Sequence, residues 1–243
     1  MPYRTLDPDK ILATATALEA RVAARFPQTG LLGVAREIVS LTRDTAREAQ
    51  ELLAPIWWLR ILIAAIIFGG GALFLSVGTF LSLNTLSKDA VGSVQSIEAA
   101  INTTVLAALG LTALVRLEAR IKRRRVTKNL HGLRSIIHVI DMHQLTKDPA
   151  ALSASYRSTA ASPSRTFNAP ELARYLDYCS EMLAVTGKLA ALYAQSVNDD
   201  GVAEAVNDIE NLGSNLSRKI WQKIMLIEGQ AKPADRRVRE KRS

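Results

Sequence analysis

Twenty-seven consecutive residues, Ile61 to Ser87, contain no ionisable side chain. A bilayer core is about 30 Å thick and a helix rises about 1.5 Å per residue, so about 20 apolar residues suffice to cross it. A chain with such a segment is expected to be an integral membrane protein, and its other elements must then be arranged around a bilayer.

A second apolar stretch, Ala99 to Val115, has seventeen uncharged residues and falls at the lower end of the spanning range. The flanking charges decide how it is read, because basic loops stay on the cytoplasmic side. Arg36, Arg43, Arg47 and Arg60 precede the first stretch, Lys88 lies between the two, and Arg116, Arg120, Lys122, Arg123, Arg124, Arg125 and Lys128 follow the second. A hairpin with both termini in the cytoplasm keeps every cluster inside, with spans at about 57–83 and 97–116 and an external loop at 84–96. The first twenty residues carry no apolar core of signal-peptide length, so the first span is expected to serve as its own insertion signal. With a bacterial cell assumed, the expected location is the inner membrane.

The formal net charge of +8 is concentrated in two places. Residues 116–128 carry +6, and residues 232–242 carry +4 through Lys232, Arg236, Arg237, Arg239, Lys241 and Arg242, offset by Asp235 and Glu240. The first cluster abuts a span and the second is terminal, so anionic headgroups are their expected partner. A nucleic-acid surface would spread its charge among aromatic or polar readers, and nucleic acid is not expected.

The remaining chain reads as helix, which makes the expected fold all-α: a transmembrane hairpin with a cytoplasmic helical bundle. Asp7-Pro8 offers an N-cap with proline at the first helical position, and Ile11, Leu12, Ala15, Leu18, Val22 and Phe26 then recur at helical spacing. Leu31, Val34, Ile38, Leu41 and Leu52 form a second stripe, opposite charged positions that include Asp44, Arg47 and Glu51. Residues 1–54 are therefore expected to hold two amphipathic cytoplasmic helices, with a bend near Pro55 leading into the hairpin at 55–116.

Val126, Leu130, Leu133, Ile137 and Ile140 alternate spacings of four and three in a short coiled-coil-like stripe, which predicts a juxtamembrane helix over 117–146. Asp148-Pro149 breaks it, and the Ser, Ala and Thr-rich residues 147–169 read as a flexible linker. Asn168 and Glu171 match a capping box, after which Leu172, Tyr175, Leu176, Cys179, Met182, Leu183, Leu189, Leu192 and Tyr193 line one face. Past Asn198 to Gly201, Val202, Val206, Ile209, Leu212, Leu216, Ile220, Ile224 and Ile227 line another, so residues 170–229 read as an αα-hairpin. Residues 230–243, basic and with Val238 as their one large apolar group, are expected to be disordered.

Candidate functional residues fall into three sets. Trp57, Trp58 and Arg60 at one edge, with Arg116, Arg120, Lys122, Arg123, Arg124 and Arg125 at the other, are expected to anchor the hairpin at the interface. Ala100, Thr104, Ala108 and Thr112 recur every four residues, with partial equivalents at Ala65 and Gly69. Small residues let helix backbones approach closely in lipid, so this face is expected to pack the two spans or a second copy of the chain. The basic residues of the tail form the third set.

No chemistry-bearing constellation emerges. His131 and His138 share a helical face but stand about 10 Å apart along the axis, too far to hold one metal, while His143 points elsewhere. Thr186-Gly187-Lys188 lacks the glycine and hydroxyl positions of a P-loop, and neither a nucleophile elbow nor a zinc-binding pair of histidines is present. Cys179 is the sole cysteine and reads as a small buried hydrophobe. No metal, cofactor or catalytic residue is assigned. The expected role is that of a noncatalytic membrane-anchored scaffold, adaptor or sensor that binds a cytoplasmic protein or a second copy through its helices, with an oligomeric channel or pore as the alternative and a membrane-bound enzyme with an unrecognised site as the weaker one.

Overall fold

The computed structural model describes residues 4–84, 90–153, 156–162 and 167–240, with side chains at 73–75, 77–100, 115 and 230–240 excluded. Described residues form α1 (Pro8–Arg25), α2 (Gly30–Leu53), α3 (Trp57–Asn84), α4 (Ala90–Leu145), a short 3-10 helix (Pro149–Leu152), α5 (Ala169–Ser196) and α6 (Asp200–Glu240). Among them there is no strand, so the protein is all-α. The chain divides into two compact units, one of residues 54–124 and one that combines residues 1–53 with 125–243.

Capping chemistry sets several helix ends in the larger unit. Asp7 accepts from the Asp9 N–H at 3.0 Å ahead of Pro8, satisfying one of the free donors of the first turn of α1. At α5 the capping box forms: the Glu171 N–H donates to Asn168 Oδ1 and the Asn168 N–H to Glu171 Oε2, each at 2.9 Å. The Val202 N–H donates to Asp199 Oδ1 at 3.1 Å where α6 begins.

The apolar stripes meet in one core. Leu18, Val22, Leu31, Ile38, Leu133, Ile137, Ile140, Leu176, Met182, Leu189, Val202 and Ile220 are all buried in it. Thr42 and Thr45 also lie on the buried face of α2, where Thr42 Oγ1 donates to Ile38 O at 2.7 Å and so brings no unpaired hydroxyl into the core. Far along the chain, Leu6 N–H donates to Gln195 Oε1 at 2.7 Å and Gln195 Nε2 donates back to Leu6 O at 3.2 Å, tying the N-terminal segment to the end of α5.

Three boundaries differ from those expected. The external loop was expected over 84–96, but α4 already begins at Ala90, because the proline-free stretch from there continues the helical pattern of the apolar segment behind it. Residues 85–89 lie outside those described. The apolar stretch and the juxtamembrane stripe then belong to one uninterrupted helix, Ala90–Leu145. The linker 147–169 is pinned at both ends: Pro149 is buried, and Phe167 packs against the core. Finally, α6 continues to Glu240 through a stretch expected to be disordered from residue 230. Its Ala, Lys, Arg and Glu residues are strong helix formers, and Pro233 forfeits one backbone donor within them.

Candidate functional site

In the smaller unit many of the described large apolar side chains are exposed, Leu59 being buried. Trp57, Trp58, Ile61, Leu62, Ile66, Ile67 and Phe68 on α3 are exposed, as are Ile101, Val105, Leu106 and Leu109 on α4. Among the described residues, one helical stretch within Gly30–Ala72 is long and apolar enough to cross a membrane, and 11% of its most apolar window is buried. Ala65, Gly69, Thr104, Ala108 and Thr112 are exposed too, and a methyl group added at Gly69 would meet nothing within 4 Å. Thr112 Oγ1 donates to Ala108 O at 2.8 Å, spending its proton on its own helix. The side chain of Ala100 lies outside the described residues.

At one end of this unit Glu118 organises a polar collar. Its carboxylate accepts from the Ile56 N–H at 3.3 Å, and its ion pairs are Lys122 Nζ at 3.1 Å and Arg60 Nε at 3.5 Å. Lys122 Nζ also donates to Ala54 O at 2.9 Å. Burial pushes the Glu118 carboxyl upward, but the hydrogen bonds from Lys122 and Ile56 and the charges of Lys122 and Arg60 outweigh it and hold the group below the usual carboxylate range. The collar brings the start of α3 beside residues 118–122 of α4. Arg60 and Lys122, read from sequence as headgroup anchors, therefore also pair internally, and Arg116, Arg120, Arg123, Arg124 and Arg125 are exposed along with Arg60.

The larger unit repeats this closure on its own side of the boundary. Arg125 Nη1 lies 3.4 Å from Glu51 Oε2, and Glu48 Oε2 accepts from Asn129 Nδ2 and, at 2.6 Å, from Tyr193 Oη. The chain thus leaves this unit after α2 and re-enters it along α4 at neighbouring points. Glu118 and Glu48 were missed from sequence, since each sits among charges that read as a solvated face.

The histidines do not converge. His131 and His138 are exposed, Asp141 accepts from Gln144 Nε2 at 2.6 Å, and among the described residues no three His, Cys, Asp or Glu side chains are placed to hold a metal ion. Lys223 reaches from α6 to Gln144, donating to its carbonyl at 2.9 Å and its side-chain oxygen at 2.6 Å, and so caps the last turn of α4. Cys179 is fully buried and its thiol is pushed up to about 12 by burial, against the opposing charges of Lys147 and Lys223, which makes it a poor nucleophile.

His143 has a more specific setting. Its Nδ1 lies 3.5 Å from Tyr175 Oη, and the Lys147 ammonium stands over the rings of Phe167 and Tyr175, 4.7 and 5.1 Å from their centroids. Phe26 packs edge-on against Phe167, Tyr175 and Tyr178. Burial, and then the charge of Lys147, hold the His143 imidazole below its ordinary value. The folded state thus favours the neutral ring, and the unfolded chain binds the proton more readily. Stability is expected to be lost as pH falls from about 7.5 through the unfolded value of about 6.5, with the loss complete below the folded value. Thermal unfolding of the wild type and His143→Gln over about pH 7.5 to 5.5 checks this: the variant should have the flatter curve, and parallel curves would refute it.

The side chains of the basic tail, Lys232, Arg236, Arg237 and Arg239, lie outside the described set, as do Lys241 and Arg242 altogether. No protein-family model matches the chain, and no curated protein or solved structure matches it.

Proposed function

We propose that this chain is a noncatalytic membrane-anchored helical scaffold, adaptor or sensor. The hairpin of residues 55–116 crosses the bacterial inner membrane twice, and the five-segment bundle works in the cytoplasm, where it binds a protein partner or a second copy. Supporting this most directly is the double closure at Glu51–Arg125 and at Ala54, Arg60, Glu118 and Lys122. A segment whose two ends are held side by side starts and finishes on one face of a membrane, so it crosses an even number of times. The exposed apolar groups on both α3 and α4 favour two crossings over none, and the basic residues flanking both segments favour the cytoplasmic face. The bundle, with its histidines apart and its one cysteine buried, suits recognition better than bond-making chemistry. Anionic headgroups are the lipid partners of the exposed arginines.

Single cysteines, Ser87→Cys and Ser243→Cys, each in a Cys179→Ser background, test the topology on intact cells. A membrane-impermeant thiol reagent should label position 87 and spare position 243, and the reverse pattern would overturn the reading. Mass in detergent and conductance after reconstitution test the role. A nonconducting species fits the scaffold, whereas a conducting multimer would replace it with an oligomeric pore.

A further inference from the structure

We propose that the open cleft lined by the start of α2, the end of α4 and the first turns of α5 binds a phosphate monoester carried on an apolar body. The cavity lies wholly within the bundle, and the assignment does not depend on the membrane topology. Its volume is about 620 Å³, within the range of sites for small organic ligands. Gln28 and Gly30 line it at the start of α2, His143 and Lys147 at the end of α4, and Phe167 and Tyr175 complete the lining.

The electrostatics select the ligand's charge. No lining residue is acidic, and among the described residues no carboxylate lies within ion-pair distance of Lys147. Its recorded neighbours are ring faces, and burial lowers its affinity for a proton, so the ammonium stands in a partly desolvated setting without a compensating anion. An anion entering the cavity would supply that missing partner. The Tyr175 phenol, whose ionisation burial strongly opposes, remains a donor.

The geometry selects phosphate over carboxylate. The lining offers Lys147 Nζ, the Gln28 amide and the Thr146 hydroxyl as donors, and the Tyr175 Oη–His143 Nδ1 pair leaves one further proton between its two members. Gly30, the first residue of α2, borders the cavity, and the first turn of that helix carries no acidic residue. A tetrahedral group with several acceptor oxygens can use such a scattered set. A carboxylate, with two coplanar oxygens, would leave more of these donors without a partner. Thr29 is not counted, because its hydroxyl donates to Phe26 O at 2.9 Å. The ring of Phe167 and the exposed Met142 supply apolar surface at the cavity. The wall is close-fitting at one point: a Cβ on Gly30 would lie 2.6 Å from His143 Cε1, so the imidazole rests directly on the first residue of α2.

The test uses the full chain in phosphatidylcholine nanodiscs with phenyl phosphate as probe. The readout is the imidazole titration of His143 by NMR, with His131 and His138 as internal references. The charged and polar groups facing His143 are Lys147 on its own helix and Tyr175 from α5, so a bound dianion should raise the titration midpoint of His143 and leave the other two unmoved. Lys147→Gln should weaken phenyl phosphate about tenfold, as expected for loss of one charged hydrogen bond, and Lys147→Arg should restore part of it. Lys188→Gln, at an exposed site elsewhere on α5, should change nothing. A parallel arm replaces the soluble probe with phosphatidic acid in the nanodisc. A His143 shift there identifies a lipid headgroup as the source, and a shift with phenyl phosphate alone identifies a soluble one. No His143 shift in either arm would overturn the proposal in the wild type, without relying on any variant folding. Unchanged affinity in Lys147→Gln would overturn the assigned contact, and equal affinity for inorganic phosphate would overturn the apolar half of the ligand.

Discussion

Ile137→Ala is expected to lower the unfolding free energy of the bundle by about 3 kcal/mol. Ile137 is fully buried on α4, and its surroundings include α6 and α5: a Cβ added at Gly213 would lie 4.0 Å from Ile137 Cδ1 and 3.7 Å from Leu183 O. Truncation removes apolar atoms worth about 0.8 kcal/mol per methylene and leaves a void where helices meet, which the surrounding backbones can collapse into only in part. For a domain of this size each kcal/mol moves the melting midpoint by about 2–4 °C, so a fall of about 10 °C is expected in detergent. Val139→Ala, two residues along at a partly exposed position, should cost less than about 1 kcal/mol. Equal effects at the two positions would show that the α4 stripe does not form the core described above.

Arginine at positions 66, 67 and 70 together should expel α3 from the membrane. Each arginine near the centre of a span costs about 3 kcal/mol on the insertion scale, so the triple variant Ile66→Arg, Ile67→Arg, Gly70→Arg carries about 9 kcal/mol. Ile66 and Ile67 are about half exposed, and a Cβ at Gly70 meets nothing within 4 Å, so little packing within the protein is lost and the penalty reports mainly on lipid. After alkaline carbonate extraction the wild type should remain in the membrane pellet and the triple variant should move to the supernatant or be degraded. Retention of the triple variant would mean that α3 is covered by something other than lipid.

Periodic features were legible because the physics that creates them is local. Helical spacing picked out Leu18, Ile137, Leu176 and Ile220 as core residues, and the side-chain chemistry of Asp7 and of Asn168 with Glu171 located two helix starts. Contacts between distant charges carry no such signature. Glu118 looks like any interfacial acid until Lys122, Arg60 and the Ile56 N–H close around it, and Glu48 looks solvated until Tyr193 arrives from 145 residues away. The cavity was hidden for a similar reason. Reading His143 against His131 and His138 compared residues of one helix, whereas its neighbours Gly30 and Tyr175 come from two others. Phe167 was lost in the composition of a Ser and Ala-rich stretch, where one large ring among small residues is the signal that was overlooked.

The reciprocal bonds between Leu6 and Gln195 have a consequence for the order in which this protein is made. The N-terminal helices meet much of their packing surface only in α5, which begins at Ala169. Synthesis proceeds at about 5–20 residues per second, so helices completed at Leu53 wait on the order of ten seconds for that surface to be translated. Throughout that interval Ile11, Leu18, Val22, Leu31 and Ile38 have no finished core to enter, while the most apolar stretch of the chain is leaving the ribosome behind them. The nascent N-terminal pair is therefore the stage most in need of a chaperone, and ribosomes stalled between residues 54 and 168 should display it protease-sensitive, with protection arriving only after α5 has emerged.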